Sequence, residues 1–298
     1  MSAAEYLRAA VALMQQHALT RDAIDWEDVR VHTAALSAGA MRPEDTYAAI
    51  RWTLTALGDE HSFFSPPQKA GDVDSDPYPG EGRYPSGSVG SDSVGTVMVP
   101  SFRGSNEAAL RYSRALSSLI AELSDAGAVG WIVDLTDNPG GNMLPMLAGL
   151  APLLGVGVIG GFEYADGSRT DWCLDRTGSL WLDDDQVIVG GVEDHLGHAG
   201  SPVAVITGPV TASSGEAVAV AFRGRPRTRS FGLPTRGLST SNEMFELDDG
   251  ACLAITTARF VDRTGTVYGG VLTPDVKSAS HEDDGRAAAT RWIVGDQS

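Results

Sequence analysis

Lysine is nearly missing from this chain of 298 residues: Lys69 and Lys277 are the only two, and arginine carries the rest of the positive charge. A mechanism that needs a buried, deprotonated lysine can therefore draw on one residue in a polar loop and one beside a polar tail. Basic residues as a whole are outnumbered, 22 against 39 acids, for a formal net charge of -17. That balance disfavours nucleic acid and anionic membrane as partners. Two cysteines, Cys173 and Cys252, are too few for a disulfide framework and suit a reducing compartment. The opening Met-Ser-Ala-Ala-Glu-Tyr-Leu-Arg lacks the basic start and apolar core of a secretory leader. No apolar run reaches the ~20 residues that span a membrane, and no internal repeat is visible. A cytoplasmic location is the expectation.

What is present reads as an ordinary globular protein, 42% hydrophobic and 20% charged, long enough for about two domains. The first part, residues 1–64, reads as a helical bundle. Ser2-Ala-Ala-Glu5 is a capping box, a second helix starts near Asp25, and a third starts near Pro43 and ends at Gly58 as a left-handed cap. Residues 65–93 are rich in Pro, Gly, Ser and Asp and read as a linker. Residues 94–280 alternate strands (Gly95–Pro100, Trp131–Leu135, Pro202–Thr207) with helices, the order expected of an α/β core with parallel strands. A β-rich segment, 157–200, is inserted there, with Trp172 and Trp181 in strands and a lid. A hairpin follows: Glu243–Leu247, the turn Asp248-Asp249-Gly250, then Ala251–Val261. Residues 281–298 read as a polar, frayed tail.

Three places carry candidate chemistry. The run Thr211-Ala-Ser-Ser-Gly-Glu216 joins a strand to a helix, where Ser213 or Ser214 is either an N-cap or a nucleophile aimed by the helix entrance. Asn138-Pro-Gly-Gly141 is either a plain turn or a set of uncovered N–H groups suited to an oxyanion. His61, in Asp59-Glu-His-Ser-Phe63 just past a helix cap, is the best placed of the six histidines for a catalytic part. Three other patterns are set aside. Gly155-x-Gly157-x-x-Gly160 spells a dinucleotide fingerprint but follows a helix, where a strand is required. His195-x-x-His198 with Glu193, Asp194 and Cys173 lacks a Cys-x-x-Cys to support zinc. Asp183, Asp184 and Asp185 read as a solvated turn.

Five blocks in order give the chain a resemblance to the carboxyl-terminal-processing, or tail-specific, serine protease family, which includes the tricorn core and interphotoreceptor-retinoid-binding-like proteins. They are Leu57-Gly-Asp-Glu-His61-Ser; Val133-Asp-Leu-Thr-Asp-Asn-Pro-Gly-Gly141; Thr211-Ala-Ser-Ser-Gly-Glu216; Gly232-Leu-Pro-Thr-Arg-Gly237; and Thr256-Thr-Ala-Arg with Thr273-Pro-Asp-Val276. The resemblance implies a ClpP/crotonase-like ββα-spiral core and a serine peptidase acting on peptide or unfolded protein through an acyl-enzyme. It makes Ser213 the nucleophile, His61 the base, and the N–H groups of Gly140, Gly141 and Ser214 the oxyanion hole. No metal or organic cofactor is implied, and self-association into a homo-oligomer is left open.

Two departures separate this chain from the tail-specific branch. Leu238 stands where that branch places its lysine base, and 65–93 is too short for its peptide-binding PDZ module. The resemblance is therefore nearer the tricorn-type branch, whose acid lies in the C-terminal strands. Asp262 is the expected orienting acid, with Glu60 as a neighbouring alternative, although Asp262-Arg-Thr-Gly265 also reads as a type I turn. A non-catalytic ligand-binding homologue and an acyltransferase, esterase or cyclase using the same serine are the other classes. With His61 as base at an ordinary pKa, the rate should fall on acidification with a midpoint between roughly pH 5.5 and 7.5.

Overall fold

A computed structural model describes residues 1–67, 84–190, 196–278 and 282–295. Lys69, His195, Glu193, Asp194 and most of the expected linker lie outside the described residues. In chain order the elements are α1 (Ala3–His17), α2 (Trp26–Leu36), α3 (Tyr47–Ala56), β1 (Phe63–Ser65), β2 (Ser86–Val89), β3 (Val94–Met98), α4 (Asn106–Asp125) and β4 (Gly130–Asp134). Next come α5 (Met143–Gly149), α6 (Ala151–Leu154), β5 (Gly157–Tyr164), β6 (Arg169–Leu174), β7 (Leu180–Leu182), β8 (Asp185–Ile188) and β9 (Val203–Thr207). The chain finishes with α7 (Ser214–Phe222), β10 (Thr228–Gly232), β11 (Thr240–Glu246), β12 (Cys252–Asp262), β13 (Val276–Lys277) and α8 (Glu282–Gly295). The fold is mixed α/β.

Two compact units divide it. The first comprises Met1–Asp76, Tyr164–Ser168 and Thr240–Ala258. Its helices begin as their sequences dictate: Ser2 and Glu5 close the capping box of α1, and the Asp25 carboxylate accepts the Glu27 and Asp28 N–H groups at the start of α2. The apolar stripes of three short helices need a surface to bury against, and the helices at 1–64 do not supply it alone. The β11–β12 hairpin does, turning at the expected Asp248-Asp249-Gly250, with β1 added antiparallel to β12 (Phe64 opposite Leu253). Tyr6, Met14, Ile50 and Phe64 pack with Leu253 and Ile255 in one core. Asp249 fastens the hairpin tip to the helices by accepting the Tyr6 hydroxyl at 2.8 Å and the Tyr47 hydroxyl at 2.5 Å.

The second unit comprises Pro77–Glu163, Arg169–Ser239 and Arg259–Ser298. Its main sheet has the order β13-β10-β9-β4-β3-β2, parallel throughout except for the β2–β3 pair. Every residue of β4 and β9 is buried, the condition of central parallel strands covered on both faces. Strand β2 falls within the expected linker; its polar Ser-Gly-Ser-Val is an edge strand held by pairing to β3, which leaves no periodicity to read. The inserted segment forms an antiparallel meander, β5 to β8. Trp172 is fully buried there between Phe162 and Phe260, at 4.9 and 5.5 Å between ring centroids. Gly155 caps α6 with φ +81 before β5 begins, so the Gly-x-Gly-x-x-Gly spelling crosses a helix end.

The tail departs from expectation. In place of a frayed segment, 282–295 is a helix. Ala289 and Ile293, four residues apart, are fully buried against Ile132, Ala204, Ile206 and Phe231. Arg286 pairs with the Asp134 carboxylate, which is buried at the end of β4 and also accepts both Thr136 donors. A narrow apolar stripe inside polar text is enough, because it buries against this face of the sheet.

Candidate active site

The loops after β4 and β9 leave the same edge of the sheet, at the carboxyl ends of adjacent parallel strands, where open α/β sheets place their sites. Side chains lace the two together. Buried Thr211 donates its hydroxyl to the Leu135 carbonyl at 2.7 Å, and Ala212 N–H donates to the Asn138 carbonyl at 3.0 Å. Asn138, fully buried, donates Nδ2 to the Val99 carbonyl and accepts the Gly140 N–H at 2.9 Å. The Ser214 hydroxyl donates to the Gly141 carbonyl at 2.6 Å.

Ser213 sits where these loops meet, at the entrance of α7, and its backbone separates the two readings left open for it. Ser2 and Ser105, which cap α1 and α4, have φ/ψ of -73/158 and -69/166, and both side chains accept an N–H of the first turn. Those are ordinary cap angles. Ser213 has φ 50 and ψ -117, and its side chain makes no cap hydrogen bond. A non-glycine residue in this region stores about 1–3 kcal/mol of strain, the kind of turn that presents a nucleophile between strand and helix. The well-formed half of its capping box is the other one: Glu216 Oε2 accepts the Ser213 N–H at 2.9 Å.

Glu216 fixes more than that. Its fully buried carboxylate also accepts the Leu238 N–H at 2.8 Å, the Gly237 N–H at 3.0 Å and the Thr235 hydroxyl at 2.5 Å. Burial pushes its pKa up, while these donors pull the other way. The Pro-Thr-Arg-Gly block is thereby tied to the serine turn. Leu238 therefore meets this turn through its backbone, and Lys277, on β13, is exposed.

Of the three glycine and serine N–H groups expected at the oxyanion, that of Gly140 is committed to Asn138 Oδ1. Gly140 contributes room: a Cβ there would lie 2.8 Å from the Ser213 Cβ, on a backbone with φ +111. Gly140→Ala is expected to lower kcat/KM by about 10²-fold or more, because a displacement of ~1 Å at a nucleophile costs that much. Steady-state hydrolysis with a parallel unfolding curve checks it; full activity in the alanine variant would show that the contact is not made.

His61 belongs to the first unit. Helix α3 gives way to Leu57 and then Gly58 at φ +71. The Asp59 carboxylate then accepts the N–H groups of His61 at 3.0 Å and Ser62 at 2.6 Å. Thr256 of β12 donates its hydroxyl to Asp59 Oδ1 at 2.8 Å, and Asn242 of β11 donates Nδ2 to the His61 carbonyl at 2.7 Å. Nδ1 of the ring lies 2.7 Å from the Thr240 hydroxyl. Burial pulls the imidazole pKa down to about 4, with the Asp59 charge opposing.

Asp262 has other employment. Its Oδ1 accepts Thr264 N–H at 2.8 Å, Thr264 Oγ1 at 2.6 Å and Thr266 N–H at 3.1 Å, and Oδ2 accepts the Tyr268 hydroxyl at 2.7 Å. The Gly265 N–H closes the turn on the Asp262 carbonyl. Burial works against the charge, but these donors outweigh it and hold the carboxyl below the usual range. The carboxylate expected to orient the histidine accepts these four bonds from its own turn, and Glu60 is exposed. Sequence reasoning passed over Thr240 and Asn242, although their i, i+2 spacing on a strand puts both on one face. His198, the described half of the histidine pair, lies with its ring 5.3 Å from Trp131, and its carbonyl accepts from Arg225.

Residues 93–278 match the family described as peptidase family S41. The chain belongs to that family. Among relatives of this S41 family member, the nisin-resistance protein of Lactococcus lactis subsp. lactis is 27% identical over 294 residues, covering 97% of this chain and 86% of the relative. The chloroplastic carboxyl-terminal-processing peptidase 2 of Arabidopsis thaliana is 26% identical over 205 residues, covering 64% of this chain and 33% of the relative. A lipoprotein from Streptococcus agalactiae shares the fold with a TM-score of 0.82 at 24% identity, over 99% of this chain and 97% of that one. The photosystem II D1 C-terminal processing protease shares it with a TM-score of 0.61 at 17% identity, over 93% of each chain.

Proposed function

We propose that this S41 family member is a serine peptidase that cleaves short or unstructured peptides through an acyl-enzyme on Ser213. The observation that carries the reading is the strained Ser213 backbone, at φ 50 and ψ -117 where the serines capping α1 and α4 are extended, beside a glycine that leaves it room. On the resemblance of the motif blocks, His61 is the base that takes the Ser213 proton as the hydroxyl attacks a peptide carbonyl. The N–H groups of Gly141 and Ser214 receive the oxyanion. His61 then returns the proton to the leaving amine, and water, activated by the same base, releases the acyl group. The core is taken as a member of the ClpP/crotonase-like spirals, on the resemblance of its motif blocks. Family membership supports peptide as the substrate class, as does a relative named as a carboxyl-terminal-processing peptidase.

A fluorophosphonate probe followed by peptide mapping tests this, together with mass spectrometry of an unstructured peptide mixture. An adduct on Ser213 and new peptide termini are expected. No adduct and no cleavage would favour a ligand-binding protein; an adduct with transferred or cyclised products would favour an acyltransferase or cyclase.

A further inference from the structure

We infer that Thr240, and not a carboxylate, is the residue that positions the His61 imidazole for proton transfer, an inference resting on the serine-peptidase reading above. A histidine that takes a proton on Nε2 must carry its own proton on Nδ1, and some acceptor must hold that N–H in place. The group at Nδ1 is the Thr240 Oγ1, at 2.7 Å. A hydroxyl has two acceptor lone pairs and can fill this place without bringing a charge.

The surroundings fix the turn that carries the ring from several sides. Thr240 and Asn242 stand on one face of β11, the first at the ring and the second donating to the His61 carbonyl. The one hydroxyl proton of Thr256 of β12 is shared between Asp59 Oδ1 at 2.8 Å and Asn242 Oδ1 at 3.0 Å, and its N–H donates to Ser62 Oγ at 2.9 Å. The groups β11 and β12 present here are therefore neutral. Asp59, on the histidine's own turn, is the charge that bears on the ring; Glu60 and Glu243 are exposed. Asp59 is itself occupied by backbone N–H groups and the Ser62 and Thr256 hydroxyls. A buried carboxylate at Nδ1 would favour imidazolium; a hydroxyl fixes orientation while leaving burial free to keep the ring neutral.

Thr240→Val removes the acceptor while nearly preserving shape, and Thr240→Ser restores the hydroxyl. The full chain of each is compared with wild type for peptide hydrolysis over a pH series. Valine is expected to lower kcat by roughly 10–100-fold with little change in KM, and serine to recover to within about threefold. A second readout does not depend on turnover: the His61 tautomer, from long-range proton–nitrogen NMR correlations in the Ser213→Ala background. Wild-type Thr240 should give Nδ1–H, and valine should shift the population toward Nε2–H. If Thr240 is wild type and the ring is already Nε2–H, or if valine leaves both tautomer and kcat unchanged, the inference is overturned. If wild type hydrolyses nothing, the peptidase reading fails by itself, and the tautomer still decides the role of Thr240.

Discussion

Ser213→Ala is expected to reduce peptide hydrolysis by at least about 10⁴-fold and to abolish covalent labelling, while leaving the fold intact. Removing the nucleophile of a serine peptidase leaves only what the oxyanion hole and binding contribute. The stability side follows from geometry. Alanine keeps the Cβ, so the strain at φ 50 persists, and the hydroxyl holds no more than the weaker half of the capping box. The change in unfolding free energy should stay within about 0.5 kcal/mol. Ser213→Gly separates strain from chemistry. It should be equally inactive but about 1 kcal/mol more stable than the alanine variant, since glycine accepts positive φ without penalty. Ser214→Ala should behave differently, retaining measurable turnover and losing about 1 kcal/mol with its bond to the Gly141 carbonyl. Denaturant unfolding and steady-state kinetics on the three variants check all of this. If Ser213→Ala turns over normally, or only Ser214→Ala is inactive, the nucleophile is misassigned.

The parts of this site that could be read in the sequence are those whose physics is local. A buried strand announces itself by an unbroken apolar run, as β4 and β9 do, and a strand-to-helix turn by Thr-Ala-Ser-Ser-Gly-Glu. Glu216 and Asn138 stand inside recognisable motif blocks, but their work of accepting from Leu238, Gly237 and Thr235, or bridging Val99 to Gly140, needs segments far apart in the chain. Thr240 shows the limit most clearly. It stands in Leu-Ser-Thr-Ser-Asn, where nothing distinguishes one hydroxyl from another, and its contact with His61 spans 179 positions. Asp262 shows the converse. Its own sequence offered a turn and a catalytic acid with equal force, and only its four accepted bonds decide how the carboxylate is used. The helix at 282–295 is not legible for a related reason: its short apolar stripe counts only once the sheet face it packs on is known.

The pH–rate profile of the free enzyme should have its acidic midpoint near pH 4, well below the range an unperturbed histidine would give. Burial disfavours imidazolium at His61 and brings the pKa to about 4, and the nearby Asp59 charge recovers only part of that loss. With His61 as the proposed base the active form is the neutral ring, so activity should hold through pH 5 and fail only as the ring protonates. His61→Ala should cost on the order of 10³-fold or more at pH 7. Changing Lys69 and Lys277 together to methionine should leave the profile nearly unaltered. Stability carries the same signature with a defined sign. The folded-state pKa lies below the unfolded value of about 6.5, so between these limits the unfolded chain binds the proton first. The contribution of a neutral His61 is fully present above about pH 6.5 and is lost as pH falls toward 4, by an amount on the order of 3 kcal/mol at most. In His61→Ala that slope should flatten while other groups titrate unchanged. An acidic midpoint near 6.5 in kcat/KM would mean that the ring is more solvated in the working enzyme than its burial indicates. An inactive double lysine variant beside an active His61→Ala would remove histidine from the mechanism, and the role of Thr240 in turnover with it.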